Sequence, residues 1–270
     1  MTAVTTTAPV TRVDYQTLYT EVSDGIAVLT INRPEVRNAV SRQVQRDIRA
    51  ALDAFRTDER VQVVIFTGAG DKAFVAGADI SQVRTYTLHS ALSSDLQRLY
   101  DDVEAFEKPT IAAVNGFALG GGCELAMSCD IRIAADTARF GLPEANLSVL
   151  PAAGGTQRLA RLVGTGRAIE IILTGRLVTA DEAQRIGLVT SVVPGDELLA
   201  RAREVAGQIT AKGPLAIRLA KIVIRSGMDA DQRTGLVVER LAQALLYTTD
   251  DKNEGTEAFL NKRPPVFKGR

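Results

Sequence analysis

At 270 residues the chain can hold one large domain, or a domain with an appendage, because a single core stops growing at about 250–300 residues. Hydrophobic residues at 46% and charged residues at 24% give the balance of a globular protein with a buried core and exclude a disordered or fibrous chain. Lys plus Arg and Asp plus Glu both number 32, so no net field draws nucleic acid or an anionic membrane, and any anionic ligand has to be met locally.

Met1 to Val13 is Thr-rich without an apolar signal core and reads as a frayed tail; its lack of acids leaves an organelle-targeting reading that only Arg12 supports. Ile26–Ile31 is a β-rich run, followed by a turn at Arg33-Pro34 and a helix with Val44, Ile48, Ala51, Leu52 and Phe55 on one face. A second unit starts with a strand over Val61–Thr67, turns at Gly68–Asp71 and reaches a helix marked by Leu88, Leu92, Leu96, Leu99, Val103 and Phe106. A third has a strand over Thr110–Val114, a turn at Asn115-Gly116 and a short helix from near Gly121 that ends before Asp130. Strands around Ile131–Ala134 and Val189–Val193 follow, and recurring strand-helix units predict an α/β core with partly parallel strands.

From Asp196 the strand signals stop and helical patterns cover Glu197–Thr210, Leu215–Arg225, Gln232–Leu246 and Asn253–Asn261. Two regions are therefore expected, a core over 1–195 and a helical appendage over 196–270. Leu236, Val237, Leu241, Leu245 and Leu246 form a stripe that points to burial against another copy of the chain. No apolar run approaches the ~18 residues of a membrane span. Cys123 and Cys129, close together in one apolar stretch, suit reduced buried thiols, and a cytoplasmic location is expected.

Gly68–Ala73 superficially fits the dinucleotide fingerprint GxGxxA, but no helical face begins within its glycines, so a plain strand-to-loop turn is favoured. His89 is the only histidine, which removes a Ser-His-Asp triad and leaves no metal site in prospect. The helix over Ser41–Thr57 mixes Arg42, Arg46 and Arg49 with Asp47 and Asp53, a poor RNA-binding face. Carboxylates or backbone must carry the chemistry. Gly116–Ala126 is the most informative segment. Three glycines bring backbone close to a ligand, the amides opening the helix are positively polarised, and Glu124 sits among apolar neighbours where solvation is disfavoured. Glu144, after Phe140–Pro143, reads equally as a helix-start acid or as a catalytic one; Pro151–Thr156 is another glycine-rich helix start.

The segments Ala113–Asp130 (AVNGFALGGGCELAMSCD), Phe140–Leu159 (FGLPEANLSVLPAAGGTQRL) and Lys72–Ile80 (KAFVAGADI) resemble the crotonase superfamily, and within it the enoyl-CoA hydratases. The resemblance runs from Asn32-Arg33-Pro34 to Ala258–Lys262. It implies a spiral of strand-strand-helix units with an all-helical C-terminal oligomerisation region, assembled as a trimer or a hexamer. It also implies an acyl-CoA thioester substrate, no separate cofactor, and a thioester oxygen held by the amides of Ala78 and Gly121. Glu124 and Glu144 match the acids that act on water and on the α-proton; retention of both favours hydration over isomerisation, or over a dehydratase of the same fold. Ala39, Ala76, Asp79 and Ile80 match positions lining the CoA, and Phe259 and Lys262 match positions near the adenine end. Ala152, Ser148 and Ser81 depart from the pattern, where glycine, glycine and lysine are common. Val83–Ser94, expected to border the acyl pocket, is the least family-like stretch.

Overall fold

The computed structural model describes residues 10–93 and 95–270; most of the N-terminal tail predicted above, and Ser94, lie outside the described residues. A seven-stranded sheet forms the frame. Its strands are β1 (Thr11–Asp14), β2 (Leu18–Ser23), β3 (Ile26–Ile31), β4 (Val63–Gly68), β6 (Thr110–Val114), β8 (Ile131–Ala135) and β11 (Ser191–Val193), in that spatial order. The first three are antiparallel and the rest parallel. A smaller sheet runs in the order β10 (Val178–Thr179), β9 (Arg139–Gly141), β7 (Phe117–Leu119) and β5 (Ala73–Val75).

The described residues hold twelve α-helices: α1 (Arg42–Thr57), α2 (Ile80–Val83), α3 (Leu88–Ser93), α4 (Asp95–Glu104), α5 (Gly121–Ser128), α6 (Gly155–Val163), α7 (Thr165–Thr174), α8 (Ala180–Arg185), α9 (Leu198–Thr210), α10 (Pro214–Asp229), α11 (Gln232–Leu246) and α12 (Asp250–Leu260). The spiral is visible in how they alternate. Each of β4, β6 and β8 joins the large sheet, the short strand after it (β5, β7, β9) joins the small one, and a helical segment follows. The turns are unequal in length, since Val64 pairs with Thr110 but Ile111 with Ile131, which is why no fixed repeat shows in the sequence.

The large sheet is covered on both faces, so its central strands read as unbroken apolar runs rather than alternating ones. Leu29, Ile31, Val64, Phe66, Ala112 and Val114 share a core with Val44, Ile48, Ala51 and Leu52 of α1. Ile26, Val28, Val63, Ile65, Ile111 and Ile133 face the other way, onto Leu198, Ala202 and Ala206 of α9. The helical segment beyond Asp196 therefore divides: α9 closes the core, whereas α10 and α11 bury no residue and leave Ile224, Met228, Leu236, Leu241 and Leu245 exposed.

Other differences are local. The 88–106 stripe splits, because Leu99, Val103 and Phe106 are core while Leu88 and Leu92 are exposed in α3. The β2–β3 hairpin, unread above, turns at Asp24-Gly25, where φ values of 51° and 81° are the left-handed pair of a two-residue turn. Gly68–Ala73 is a strand-to-strand turn without a helix. Buried Asn38 donates to the carbonyls of Ala69 (3.0 Å) and Ala73 (2.8 Å), and Asn115 donates to those of Gly68 (2.9 Å) and Gly70 (2.7 Å), fixing the loop that leads to Ala78.

Candidate active site

One cleft of about 690 Å³ is bounded by residues 76–96, by the start of α5, and by residues 143–153. Its floor follows from a close backbone approach. A Cβ on Gly122 would stand 1.8 Å from the Val75 carbonyl oxygen, so only glycine lets α5 start against β5. The next residues along, Ala78 and Gly121, then meet: a Cβ on Gly121 would be 3.5 Å from the Ala78 amide nitrogen. The parallel bridge between Val40 and Ala78 uses the Gly77 carbonyl and the Asp79 amide, leaving the Ala78 N–H outside it. Gly121 opens α5, where an N–H has no intrahelical acceptor. Two uncommitted donors thus sit side by side in the cleft, the arrangement that stabilises an oxygen becoming anionic.

Gly122→Ala tests this packing. The methyl group has to displace β5 or α5, and overpacking of this kind costs about 1–3 kcal/mol or more. The expected result is a lowered thermal midpoint together with a lowered kcat, read by calorimetry and turnover on the same sample.

Glu124 and Glu144 both line the cleft. Glu124 is 2% exposed, and its Oε1 accepts the amides of Ala153 and Gly155, each at 2.8 Å. Burial pushes its carboxyl above the ordinary range, while the two amides and the nearby Arg158 charge pull it back. Glu144 follows Pro143 at the start of a short 3-10 turn and lies against Gly120, whose hypothetical Cβ would be 2.8 Å from Oε1. Its Oε2 is buried with no hydrogen-bond partner among the described residues. Burial, reinforced by the Glu124 charge, raises the Glu144 carboxyl to about 7. One acid is thus anchored by fixed donors and the other shares its time between the protonated and ionised forms near neutral pH, the separation of environments that acid–base chemistry needs.

The CoA-lining positions divide. Ala76 and Ile80 line the cleft. Ala39 and Asp79 lie behind it, joined through Arg33, whose Nη1 donates to the Ala39 carbonyl at 2.7 Å and whose Nη2 is 3.8 Å from Asp79. Asp79 also caps α2 and takes the Ser81 hydroxyl at 2.6 Å. Phe259 near the end of α12, and Lys262 just beyond it, do not line the cleft within one chain, and Phe259 is 82% exposed. Val83, Tyr86 and Leu88 of the least family-like stretch form one apolar wall, opposite Leu147 and Leu150; Ala152 lines the cleft as well. His89 is absent from the lining. Both cysteines are free and buried, with thiols pushed up to about 12 by burial. Among the described residues no group of three or more His, Cys, Asp or Glu is placed to hold a metal, and no helix is long and apolar enough to cross a membrane.

Sequence reasoning marked Pro151–Thr156 as a glycine-rich helix start without linking its amides to Glu124, and passed over Arg158. The available signal was the Gly154-Gly155 helix start followed by a charged residue that α6 turns inward.

A cleft with paired amides and two carboxyl groups, on a spiral of two sheets, suits acid–base chemistry that passes through an oxyanion. A sequence model described as enoyl-CoA hydratase/isomerase matches residues 21–270. The chain is 47% identical to a crotonyl-CoA hydratase of Syntrophomonas wolfei over 255 residues, 94% of this chain and 98% of that one. It is 46% identical to a short-chain-enoyl-CoA hydratase of Clostridium acetobutylicum over 240 residues, 88% and 92% of the two chains. The crystal structure of an enoyl-CoA hydratase from Bacillus anthracis superposes with a TM-score of 0.89 at 41% identity, covering 97% of this chain and 99% of that one. The chain belongs to the enoyl-CoA hydratase/isomerase family of the crotonase superfamily.

Proposed function

We propose that this enzyme reversibly adds water to trans-2-enoyl-CoA, giving 3-hydroxyacyl-CoA. The observation that carries the reading is the pair Glu124 and Glu144 on one cleft beside the amides of Ala78 and Gly121. The thioester oxygen accepts both amides. As water attacks C3, electrons move through the C2–C3 bond onto that oxygen, and each fixed donor there is worth ~3–4 kcal/mol of transition-state stabilisation. Glu124, its Oε1 held by two amides, orients the water and takes its proton; Glu144 delivers a proton to C2, closing the enolate to product. Run backwards, the same atoms dehydrate the hydroxyacyl thioester.

CoA enters as part of the substrate, and no separate cofactor is called for. The exposed apolar residues of α10 and α11 support assembly of copies into a trimer or a hexamer, which would also give Phe259 and Lys262 a route to a neighbour's adenine end. The C-terminal region over 196–270 serves that assembly in this reading, with α9 belonging equally to the core. A cytoplasmic location fits the two reduced cysteines.

Crotonyl-CoA given to the purified protein loses its conjugated-thioester absorbance and yields a 3-hydroxy product. No turnover on any enoyl chain length would sink the reading, and release of a 3-enoyl thioester instead would replace it with isomerisation.

A further inference from the structure

Glu124 is held by a turn built on Gly154. Two amides from Ala153 and Gly155 converge on one oxygen because the chain reverses at Gly154, with φ 99°. The peptide between those donors carries the Ala153 carbonyl, and Arg158 Nη1 donates to that carbonyl at 2.8 Å. The guanidinium lies so close over Gly154 that a Cβ there would overlap Nη1. Arg158 is 9% exposed, so its placement needs partners, and it has them on α4. Glu104 Oε2 accepts Nε at 2.8 Å and Nη2 at 2.6 Å, and Asp101 Oδ1 accepts Nη2 at 2.7 Å. The other Glu104 oxygen takes Arg225 of α10 at 2.5 Å, and Arg225 also holds Asp130 at 2.7 Å. All four of these Arg158 hydrogen bonds serve either the turn or the carboxylates that aim it.

We infer that Arg158, aimed by Glu104, is a positioning residue for hydration: it locks the Ala153–Gly155 turn so that its two amides fix the Glu124 carboxylate in place. This rests on the hydratase reading above. The charged and titratable groups around Glu124 are Glu144 across the cleft, Tyr100 of α4, Cys123 of its own helix, and Arg158 of α6. Among the described residues, Arg158 is the cation whose charge reaches Glu124. Its charge lowers the Glu124 carboxyl, so removing it lets burial push that carboxyl further up.

The test compares Arg158→Gln, Arg158→Lys and Glu104→Gln with the wild type. In Arg158→Gln, kcat for crotonyl-CoA falls by ~10²-fold, the scale of a small misplacement of a reacting group. KM stays near the wild-type value, and the acidic limb of the pH–rate profile moves to higher pH. Arg158→Lys keeps the charge, so the limb returns towards wild type while kcat recovers only in part. Glu104→Gln keeps the Arg158 charge and loosens its aim, lowering kcat at unchanged KM without raising the limb. A folded Arg158→Gln with wild-type kcat, or with lowered kcat and an unmoved limb, overturns the inference. Should Arg158→Gln fail to fold, wild-type kcat in Glu104→Gln overturns it instead. A substrate-independent readout separates this from failure of the hydratase reading. The Glu124 carboxyl band, assigned by infrared difference against Glu124→Gln, titrates at higher pH in Arg158→Gln, or in Arg158→Met if the first variant is unstable; an unshifted midpoint overturns the inference even if crotonyl-CoA is not turned over.

Discussion

Glu144→Gln lowers kcat for hydration of crotonyl-CoA by ~10²–10⁴-fold, the range for loss of a general acid or base. Gln keeps the shape of the side chain against Gly120 but has no proton to give C2. The same substitution has an opposite effect on stability, and its pH dependence follows from the burial of Glu144. A carboxyl raised from 4.5 to about 7 holds its proton more tightly in the folded chain than in the unfolded one. Its contribution therefore favours the fold most below pH 4.5 and is lost as pH rises through 7, where a charge has to be buried without a partner for Oε2. Gln is neutral throughout. Thermal melts should show Glu144→Gln more stable than wild type at pH 8, with the gain shrinking towards pH 5. An equal melting difference at both pH values would mean that Glu144 is not titrating in the folded state over this range.

Glu124→Gln costs kcat ~10²–10⁴-fold by the same measure, with a different stability result. The amide carbonyl of Gln can take the place of Oε1 and accept both the Ala153 and Gly155 amides, so the fold loses little. Glu124→Ala removes that acceptor and strands two buried donors, each worth ~1–3 kcal/mol when left unsatisfied. The ordering expected is wild type and Glu124→Gln close in thermal midpoint, Glu124→Ala well below both, and both variants slow. A Glu124→Gln enzyme with near-normal kcat would take this residue out of the proton transfers and leave water orientation as its role. The contrast between the two glutamates is physical: one is held by the Ala153 and Gly155 amides, which reduce the cost of its charge, and the other keeps a buried Oε2 without a partner among the described residues.

These effects belong to different depths of the sequence. Glu124 is conspicuous in the bare chain because an acid among Leu119, Cys123, Leu125 and Met127 cannot be solvated on either side of a short helix. The glycine run announces close backbone approach for the same local reason. The strands β3, β4 and β6 and the helix α1 are equally plain, being apolar runs and stripes whose periodicity needs no partner to be read. Glu144 carries no such mark. Leu-Pro-Glu opens many helical turns, and its buried, raised carboxyl exists only because Gly120 and Glu124 are brought against it by the second and third turns of the spiral.

Sequence by itself determined the α/β class and the glycine-lined start of α5, and it turned suspicion on Glu124. The family resemblance supplied Ala78 and Glu144. Tertiary structure alone decided that α9 closes the second face of the large sheet, since three spaced residues, Leu198, Ala202 and Ala206, give too faint a stripe to name their partner. It alone placed the short strands β5, β7 and β9 in a second sheet, because three residues are too few to show a period. It also brought Arg158 under the Ala153–Gly155 turn. A charged side chain in a helix reads as solvent-facing until the carboxylates of Asp101 and Glu104 are seen waiting for it on another helix. Local chemistry is written in neighbouring residues, whereas the convergence of distant ones is a property of the packed chain.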